Sequence, residues 1–350
     1  MRPFGIAAEK SCQATWPQAC VQVGGQHVSA FPKAKLVLLL HIKVLPLRGI
    51  LNGSTMKKLM LIINPAAGRG GYAAGLAEAL NLLDGGGYRT TLFFTAGRGD
   101  ATAFAARHGK EYDAVACIGG DGTLSEVMSG LMALDHPPML GYFPMGTSND
   151  VATTLALPKN DCQGAALRML GGTPHPYDVG GFGDDQYFAY IAAFGAFTQV
   201  SYATPQSQKR ALGHLAYVLQ GMAELPKLET YHAVVEYDGG VIEDDFIYGG
   251  MSNSTSVAGI VRLPEDMVSL GDGVSELVLV KVPERIEDLG EMAASVLTQR
   301  YESDRLVILH TRQAHFRFDR PVAWTRDGEA GGEYQDICLT NYKAPIQFIF

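Results

Sequence analysis

Five consecutive residues combine a carboxylate with three glycines: Gly119-Gly120-Asp121-Gly122-Thr123, directly after an apolar run and before a helix-like stretch. Glycine lets a backbone approach a ligand closely, and the N–H groups at a helix N-terminus suit an anion such as phosphate. The carboxylate of Asp121 would repel a phosphate unless a cation offsets its charge. A metal-bound nucleotide meets both conditions, and a tight turn without a ligand is the structural alternative. Thr123 and Glu126 also match a capping box, which predicts a helix start here.

Two further loops have the same character. One is Asn64-Pro65-Ala66-Ala67-Gly68-Arg69-Gly70, and the other is Pro144-Met145-Gly146-Thr147-Ser148-Asn149-Asp150, each directly after an apolar run. The ends of parallel strands meet in one crevice, so we expect the three loops to converge on one binding site. Arg69 is a candidate phosphate contact there. Neither loop is a Walker A loop, because the chain contains no G-x-x-x-x-G-K-[ST].

Acidic turns supply the other candidate groups. Asp327-Gly328-Glu329 places two carboxylates on a tight turn, where one of them can act as a general base toward a hydroxyl group. A solvated acidic loop is the alternative. Asp272, between Gly271 and Gly273, is either a hairpin residue or a ligand for a hard cation, which one carboxylate with carbonyls and waters can bind.

The pattern of apolar runs indicates how these loops are held. Strand-like and helix-like stretches alternate at 59–63, 73–83, 89–94, 99–108, 114–118, 124–134 and 139–143. This repeated β-α order predicts a doubly wound parallel sheet. Beyond about residue 180, strand-like runs predominate, at 187–193, 231–237, 245–251, 276–282, 305–309, 315–318 and 346–350, with helices near 209–224 and 286–299.

We therefore predict an α/β protein with two domains and an active site in the cleft between them. A doubly wound nucleotide-binding domain would span residues 56–180, and a mainly-β sandwich domain would span residues 181–350. Residues 1–55 show no sustained period of 2 or 3.6, whereas an apolar run follows Met56 directly. We expect Met56 to be the native start and residues 1–55 to be an upstream extension outside the fold.

The composition argues against several classes of protein. The 350 residues include 28 Lys and Arg against 36 Asp and Glu, a net charge of −8, which disfavours a general nucleic-acid binder. Five cysteines without a C-x-x-C pair suggest neither a disulfide framework nor a zinc site. The longest aliphatic run, at 36–40, is far shorter than the ~20 residues that span a bilayer, and its position does not fit a secretory signal.

The motifs N-P-x-x-G-x-G, G-G-D-G-T and G-T-x-N-D, in this order and spacing, resemble the diacylglycerol kinase catalytic family. The similarity extends from about Lys58 to Phe350 and is strongest to the soluble bacterial branch. Further matches are Tyr187-Phe188, Phe194-Gly195, 209–217 (K-R-A-L-G-H-L-A-Y), Ser252-Asn253-Ser254, Asp272-Gly273 and 324–329 (W-T-R-D-G-E). The resemblance implies an ATP-dependent lipid kinase that phosphorylates the hydroxyl of a diacylglycerol or a related lipid.

The resemblance also implies roles for individual residues. Nucleotide-binding positions would be Asn64, Pro65, Gly68, Thr95, Gly119, Gly120, Asp121, Gly122, Thr123, Ser125, Thr147 and Asn149. A structural Mg²⁺ would bind the Asp272 carboxylate and the backbone carbonyls of Ser269 and Val274. Glu329 falls on the catalytic glutamate, with Asp327 in support, and Asp121 would organise the metal-nucleotide. The family usually has asparagines where this chain has Ser125 and Ser129, so hydroxyls replace amides there.

Two other functions remain open from the sequence. An NAD kinase shares G-G-D-G-T and the general architecture, although 146–150 and 324–329 resemble the lipid-kinase pattern. A catalytically silent nucleotide-binding regulator of the same fold is the second alternative, against which Asp121 and Glu329 argue.

A lipid substrate implies contact with a membrane surface. We expect a cytoplasmic protein that binds membranes weakly and transiently, because the sequence has no lipidation motif and no apolar span. The stretch 208–225, with Lys209 and Arg210 beside apolar residues, is the candidate contact, and a core-facing amphipathic helix is the alternative. The sequence allows a homodimer and leaves the identity of the lipid open.

Overall fold

A computed structural model describes residues 56–196, 229–254, 256–257, 261–262, 269–285, 287–288, 291–292, 294–295 and 303–350. The helices are α1 (Ala73–Gly85), α2 (Asp100–His108), α3 (Asp121–Leu131), α4 (Asp150–Thr154) and α5 (Cys162–Gly171). The strands are β1 (Lys57–Ile63), β2 (Tyr88–Phe94), β3 (Ala114–Gly119), β4 (Met139–Pro144), β5 (Pro174–Phe182), β6 (Gln186–Phe188), β7 (Ile191–Gly195), β8 (Tyr231–Tyr237), β9 (Gly240–Ser252), β10 (Ser256–Val257), β11 (Val261–Arg262), β12 (Ser275–Lys281), β13 (Leu306–Thr311), β14 (Gln313–Arg326) and β15 (Glu329–Ile349).

The N-terminal part is built on four parallel strands in the order β4-β3-β1-β2. The side chains of β1 alternate between the two faces of the sheet. Leu59, Leu61 and Ile63 pack with α1 and α5, whereas Met60 and Ile62 pack with α2 and α3. Helices therefore cover both faces of these strands, as the alternating sequence pattern predicts.

The remainder of the described chain consists mainly of antiparallel strands. The first half of β9 pairs with β8 and its second half with β7, and β14 divides its pairing in the same way. These four strands form a closed circuit around a core rich in aromatic side chains, including Phe194, Phe246, Phe316 and Trp324. The predicted mixed α/β fold with a sheet-rich C-terminal part is confirmed.

Strand β15 joins the two parts of the molecule. It pairs with β14 and β5, and it ends beside β4, where Phe348 lies opposite Leu140. Ile346 and Phe348 belong to the core that also contains side chains of α2 and α3. The last residues of the chain thus pack with the N-terminal part, and the division into domains at residue 180 stays a prediction.

Several elements differ from the sequence-based expectations. Helix α3 begins at Asp121 instead of residue 124, and both β14 and β15 are far longer than the predicted runs 315–318 and 346–350. Helix α5 and strand β5 were not expected. The described residues of the predicted helix 286–299 are helical, while the predicted helix at 209–224 and the N-terminal stretch 1–55 lie outside the described residues. None of the helices found in the described ranges is long and apolar enough to span a bilayer.

Candidate active site

The three glycine-rich loops meet at the carboxyl ends of β1, β3 and β4. The Asn64 side-chain amide donates a hydrogen bond to the Thr123 hydroxyl at 3.0 Å, which links the first loop to the second. The Met145 N–H donates to the Gly119 carbonyl at 2.7 Å, which links the second loop to the third. The predicted convergence of the loops is therefore present in the structure.

Close backbone contact explains two of the glycines. Gly68 has φ of +54°, and a Cβ atom there would collide with the Met145 carbonyl oxygen. A Cβ atom on Gly146 would collide with the Cα of Gly120. Glycine at these two positions lets the loops pack against each other, so these glycines shape the site.

Asp121 is turned away from the solvent and toward helix α4. Its carboxylate oxygens accept hydrogen bonds from the N–H groups of Asp150 (2.9 Å) and Val151 (3.2 Å). Burial raises the pKa of Asp121 to about 6, and the nearby charges of Asp150 and Asp327 raise it further, while the two N–H donors lower it. The carboxylate thus caps the N-terminus of α4 and connects the second loop to the third.

The Asn149 side chain also stabilises the loop in which it lies. Its side-chain oxygen accepts from the Gly146 N–H at 2.9 Å, and its amide donates to the Gly146 carbonyl at 2.9 Å. The side chain is buried, and the backbone has φ of +52°, a conformation that asparagine adopts more readily than most residues. The structure therefore places Asn149 inside its own loop.

The two carboxylates of the Asp327-Gly328-Glu329 turn lie in different environments. Asp327 is buried and accepts from the N–H groups of Ala189 (2.7 Å), Tyr190 (3.0 Å) and Ile191 (3.2 Å). The side chain of Ser125 forms a hydrogen bond with it as well, and burial raises the pKa of Asp327. Asp327 therefore fixes the turn against the segment between β6 and β7.

Glu329 points toward the N-terminus of helix α3. Its side chain is 52% exposed, and Oε2 lies 3.1 Å from a guanidinium nitrogen of Arg98. Oε1 would be 2.5 Å from a Cβ atom on Gly122, so the carboxylate lies directly against the Cα of that glycine. A carboxylate from the β-rich part is thus brought to the first turn of α3.

Two cavities have this carboxylate in their walls. The larger, of about 720 Å³, is lined by the predicted residues Asn64, Pro65, Thr95, Gly122, Thr123 and Glu329. The smaller, of about 240 Å³, is lined by the predicted residues Gly122, Ser125, Asp327 and Glu329. Among the predicted catalytic and nucleotide-binding residues that the structure describes, those outside both linings are Gly68, Gly119, Gly120, Asp121, Thr147 and Asn149. The side chain of Arg69 lies outside the described part of the chain.

The predicted capping box is wrong. The N-cap of α3 is Gly120, and no side chain caps it. Glu126 instead accepts from the N–H groups of Gly99 (2.8 Å) and Ala101 (3.2 Å), at the N-terminus of α2. Glu126 thus binds the N-terminus of a neighbouring helix instead of its own. The sequence could not indicate this, because only the tertiary structure brings α2 close to Glu126.

The loop around Asp272 contains donors that suit a hard cation. Asp272 is exposed, and its Oδ1 accepts from the Val274 N–H at 3.1 Å. The buried carboxylate of Asp178 accepts from the Gly273 N–H at 2.7 Å and so supports the same loop. One carboxylate with backbone carbonyls and water is a donor set that Mg²⁺ accepts. Within the described ranges, no three His, Cys, Asp or Glu side chains are grouped to bind a metal.

Arg98 is a charged cavity residue that the sequence motifs did not select. It lies between Thr95 and the Gly99-Asp100-Ala101 element, and it lines both cavities. The sequence could have indicated it, because Arg98 is a cation in a glycine-containing turn directly after a strand. Arg69 was selected on the same pattern.

Comparisons with known proteins point to one family. The family model described as Diacylglycerol kinase catalytic domain matches residues 58–182. A diacylglycerol kinase from Bacillus subtilis is 33% identical over 278 residues, which cover 79% of this chain and 91% of that protein. A diacylglycerol kinase from Staphylococcus aureus is 33% identical over 279 residues, covering 79% of this chain and 87% of that protein. The chain belongs to the diacylglycerol kinase family and is a lipid kinase of that type, which confirms the resemblance seen in its motifs.

A solved structure has the same fold. It is named as a diacylglycerol kinase from Bacillus anthracis, with a TM-score of 0.66 and 22% identity, and the match covers 85% of this chain and 98% of that one. At this identity the match bears on the fold, which is mixed α/β with a sheet-rich C-terminal region.

Proposed function

We propose that the chain transfers the γ-phosphate of ATP to the hydroxyl of a diacylglycerol or a related lipid, giving phosphatidic acid or its analogue. The observation that carries this proposal is the position of Glu329 against Gly122, at the first turn of α3 and on the wall shared by both cavities. Phosphoryl transfer to an alcohol needs a phosphate-binding element and a group that positions or deprotonates the hydroxyl. In this chain the Glu329 carboxylate contacts the first turn of α3, and these two would fill those roles.

The larger cavity would hold the nucleotide. At the start of α3, the N–H groups of Thr123 and Leu124 donate to the Gly120 carbonyl. The N–H groups of Asp121 and Gly122 precede these helical hydrogen bonds and would suit the phosphate oxygens. Thr95 and the linked pair Asn64 and Thr123 line the same space. The smaller cavity has polar walls, with the hydroxyls of Ser125 and Ser129, and would admit the acceptor hydroxyl.

The chemical step follows from this arrangement. The hydroxyl oxygen forms a bond to the γ-phosphorus while the bond to the β,γ-bridging oxygen breaks, and ADP leaves with that oxygen. The hydroxyl proton passes to Glu329, which accepts or orients it as the new bond forms. Asp327 would not take part in this transfer, because its oxygens already accept backbone N–H groups.

Two further roles complete the proposal. Asp272, with the carbonyls of Ser269 and Val274, would hold a structural Mg²⁺, and Mg²⁺ accompanying the nucleotide would neutralise phosphate charge. The protein would meet its lipid at a membrane surface, transiently and from the cytoplasm. The candidate contact at 208–225 lies outside the described residues, and a homodimer stays open.

The direct test is transfer of label from [γ-³²P]ATP, with either diacylglycerol vesicles or NAD as acceptor. We expect label in an extractable lipid that comigrates with phosphatidic acid, and none in NADP. Label in NADP with none in lipid would favour the NAD kinase. ATP binding without transfer to diacylglycerol, sphingoid base, polyprenol or phosphatidylglycerol would favour the silent regulator. Transfer to one of the other lipids would keep the kinase and change its acceptor.

A further inference from the structure

The backbone that carries Arg98 is held at several points. The Asp100 carboxylate accepts from the N–H groups of Ala96 (2.8 Å) and Gly97 (2.9 Å), which folds the loop before α2. Gly99, with φ of +82°, donates its N–H to Glu126 at 2.8 Å. The Arg98 side chain therefore extends from a fixed position into the wall of the site.

The charges of the larger cavity do not suit a nucleotide without this side chain. Its described lining contains two carboxylates, Glu126 and Glu329, and one cation, Arg98. Glu126 is occupied by two backbone N–H groups, whereas Glu329 pairs with Arg98 at 3.1 Å. A polyphosphate adds several negative charges, and phosphoryl transfer requires them to be neutralised. Arg98 is the cation placed to do this in the lining that the structure describes.

The location of the pair indicates which phosphate is concerned. Arg98, Gly122 and Glu329 line both cavities, so the pair stands where the nucleotide space meets the acceptor space. The γ-phosphate is the part of ATP that must reach this junction. A guanidinium offers a planar set of donors that matches two phosphate oxygens, as it matches a carboxylate.

We propose that Arg98 binds the γ-phosphate of ATP and exchanges its present partner, Glu329, for that phosphate. Nucleotide binding then releases the Glu329 carboxylate for the acceptor hydroxyl. The inference rests on the proposed function and adds a phosphate-binding residue to it. Because the Arg98 side chain is 69% exposed, its pairing with Glu329 is weak enough for such an exchange.

The test compares nucleotides that differ in their phosphates. For Arg98→Ala we expect the dissociation constant of ATP to rise about 10–100-fold, the size expected for a charge-assisted hydrogen bond, while those of ADP and AMP change less than about twofold. Arg98→Lys should recover part of the loss, since lysine keeps the charge without the planar donors. Arg107→Ala is the matched control, because Arg107 is an exposed cation on α2 outside both linings.

The outcomes separate this inference from the function on which it rests. Unchanged ATP affinity in Arg98→Ala, or equal losses for ATP and AMP, would overturn the γ-phosphate contact while the wild-type enzyme still phosphorylates lipid. Absence of ATP binding by the wild-type chain would overturn the proposed function and this inference together. If Arg98→Ala and Arg107→Ala change ATP affinity equally, the effect arises from the loss of one positive charge anywhere on the protein. That result would also overturn the γ-phosphate contact.

Discussion

The start of α3 and the turn after β14 use their carboxylates in opposite ways. At the start of α3, Asp121 is buried, and its oxygens accept hydrogen bonds from N–H groups at the start of α4. In the turn, Glu329 is half exposed, lines both cavities and contacts one exposed guanidinium. Buried acids that accept backbone donors hold loops in place, whereas the exposed acid is available to a substrate. Asp327 belongs to the first kind although it is only two residues from Glu329.

The largest structural effect is expected from Asp327→Asn. Asparagine tolerates the backbone φ of +48° at this position, so the change tests the carboxylate alone. An amide would set its NH₂ group against the N–H donors of Ala189, Tyr190 and Ile191, and we expect the free energy of unfolding to fall by about 3 kcal/mol. Urea denaturation measures the difference. Asp319→Asn, at an exposed site on β14, should change stability by less than about 0.5 kcal/mol. Equal stabilities for the two variants would contradict the claim that the buried carboxylate of Asp327 stabilises the turn.

A pH-dependent effect is expected from Asp121. Its folded-state pKa of about 6 lies above the ordinary value of 3.8, so between pH 4 and pH 6 the folded state keeps a proton that the unfolded state has lost. The stability contributed by this group is therefore present below pH 4 and is lost as the pH rises through 6. Relative to Asp121→Asn, the wild type should lose about 3 kcal/mol of unfolding free energy between pH 4 and pH 7. A pH-independent difference between the two proteins would contradict the burial of this carboxylate.

A smaller effect is expected from Gly122→Ala. The added Cβ would displace the Glu329 carboxylate, while alanine favours the first turn of α3 over glycine. We expect kcat to fall about tenfold without loss of thermal stability, because a catalytic group displaced by about 1 Å loses its alignment. Gly85→Ala, where a Cβ meets nothing within 4 Å, is the control. If Gly122→Ala lowers kcat further in a Glu329→Gln background, its effect does not act through that carboxylate.

The sequence predicts the parallel part of the fold because short apolar runs there, such as 59–63 and 114–118, are buried along their whole length. The alternation of strands and helices up to β4 follows from those runs. Strand β5 was missed because Pro174, Pro176 and paired glycines resemble loop sequence. The length of β14 was missed because Asp319, Arg320 and Pro321 interrupt its alternating pattern with turn residues.

The candidate site divides in the same way. Local motifs identify Asn64, Thr123 and Glu329, each of which lines a cavity. The motifs also select Asp121 and Asn149, whose side chains hold the loops together. Which residue of a motif faces the cavity depends on partners distant in the chain, such as Arg98 for Glu329. A motif therefore locates the site, and tertiary contacts assign the tasks within it.

Single-turnover phosphoryl transfer in Glu329→Gln tests the central claim most directly. The substituted side chain is half exposed, so the fold should be kept, and ATP should bind within about threefold of its wild-type affinity. With ATP already bound and diacylglycerol added, rapid quenching should show transfer slowed about 10²–10⁴-fold, the usual contribution of a group that accepts a proton in the reaction. A transfer rate close to that of the wild type, or equal losses in ATP affinity and transfer rate, would contradict the assignment of Glu329.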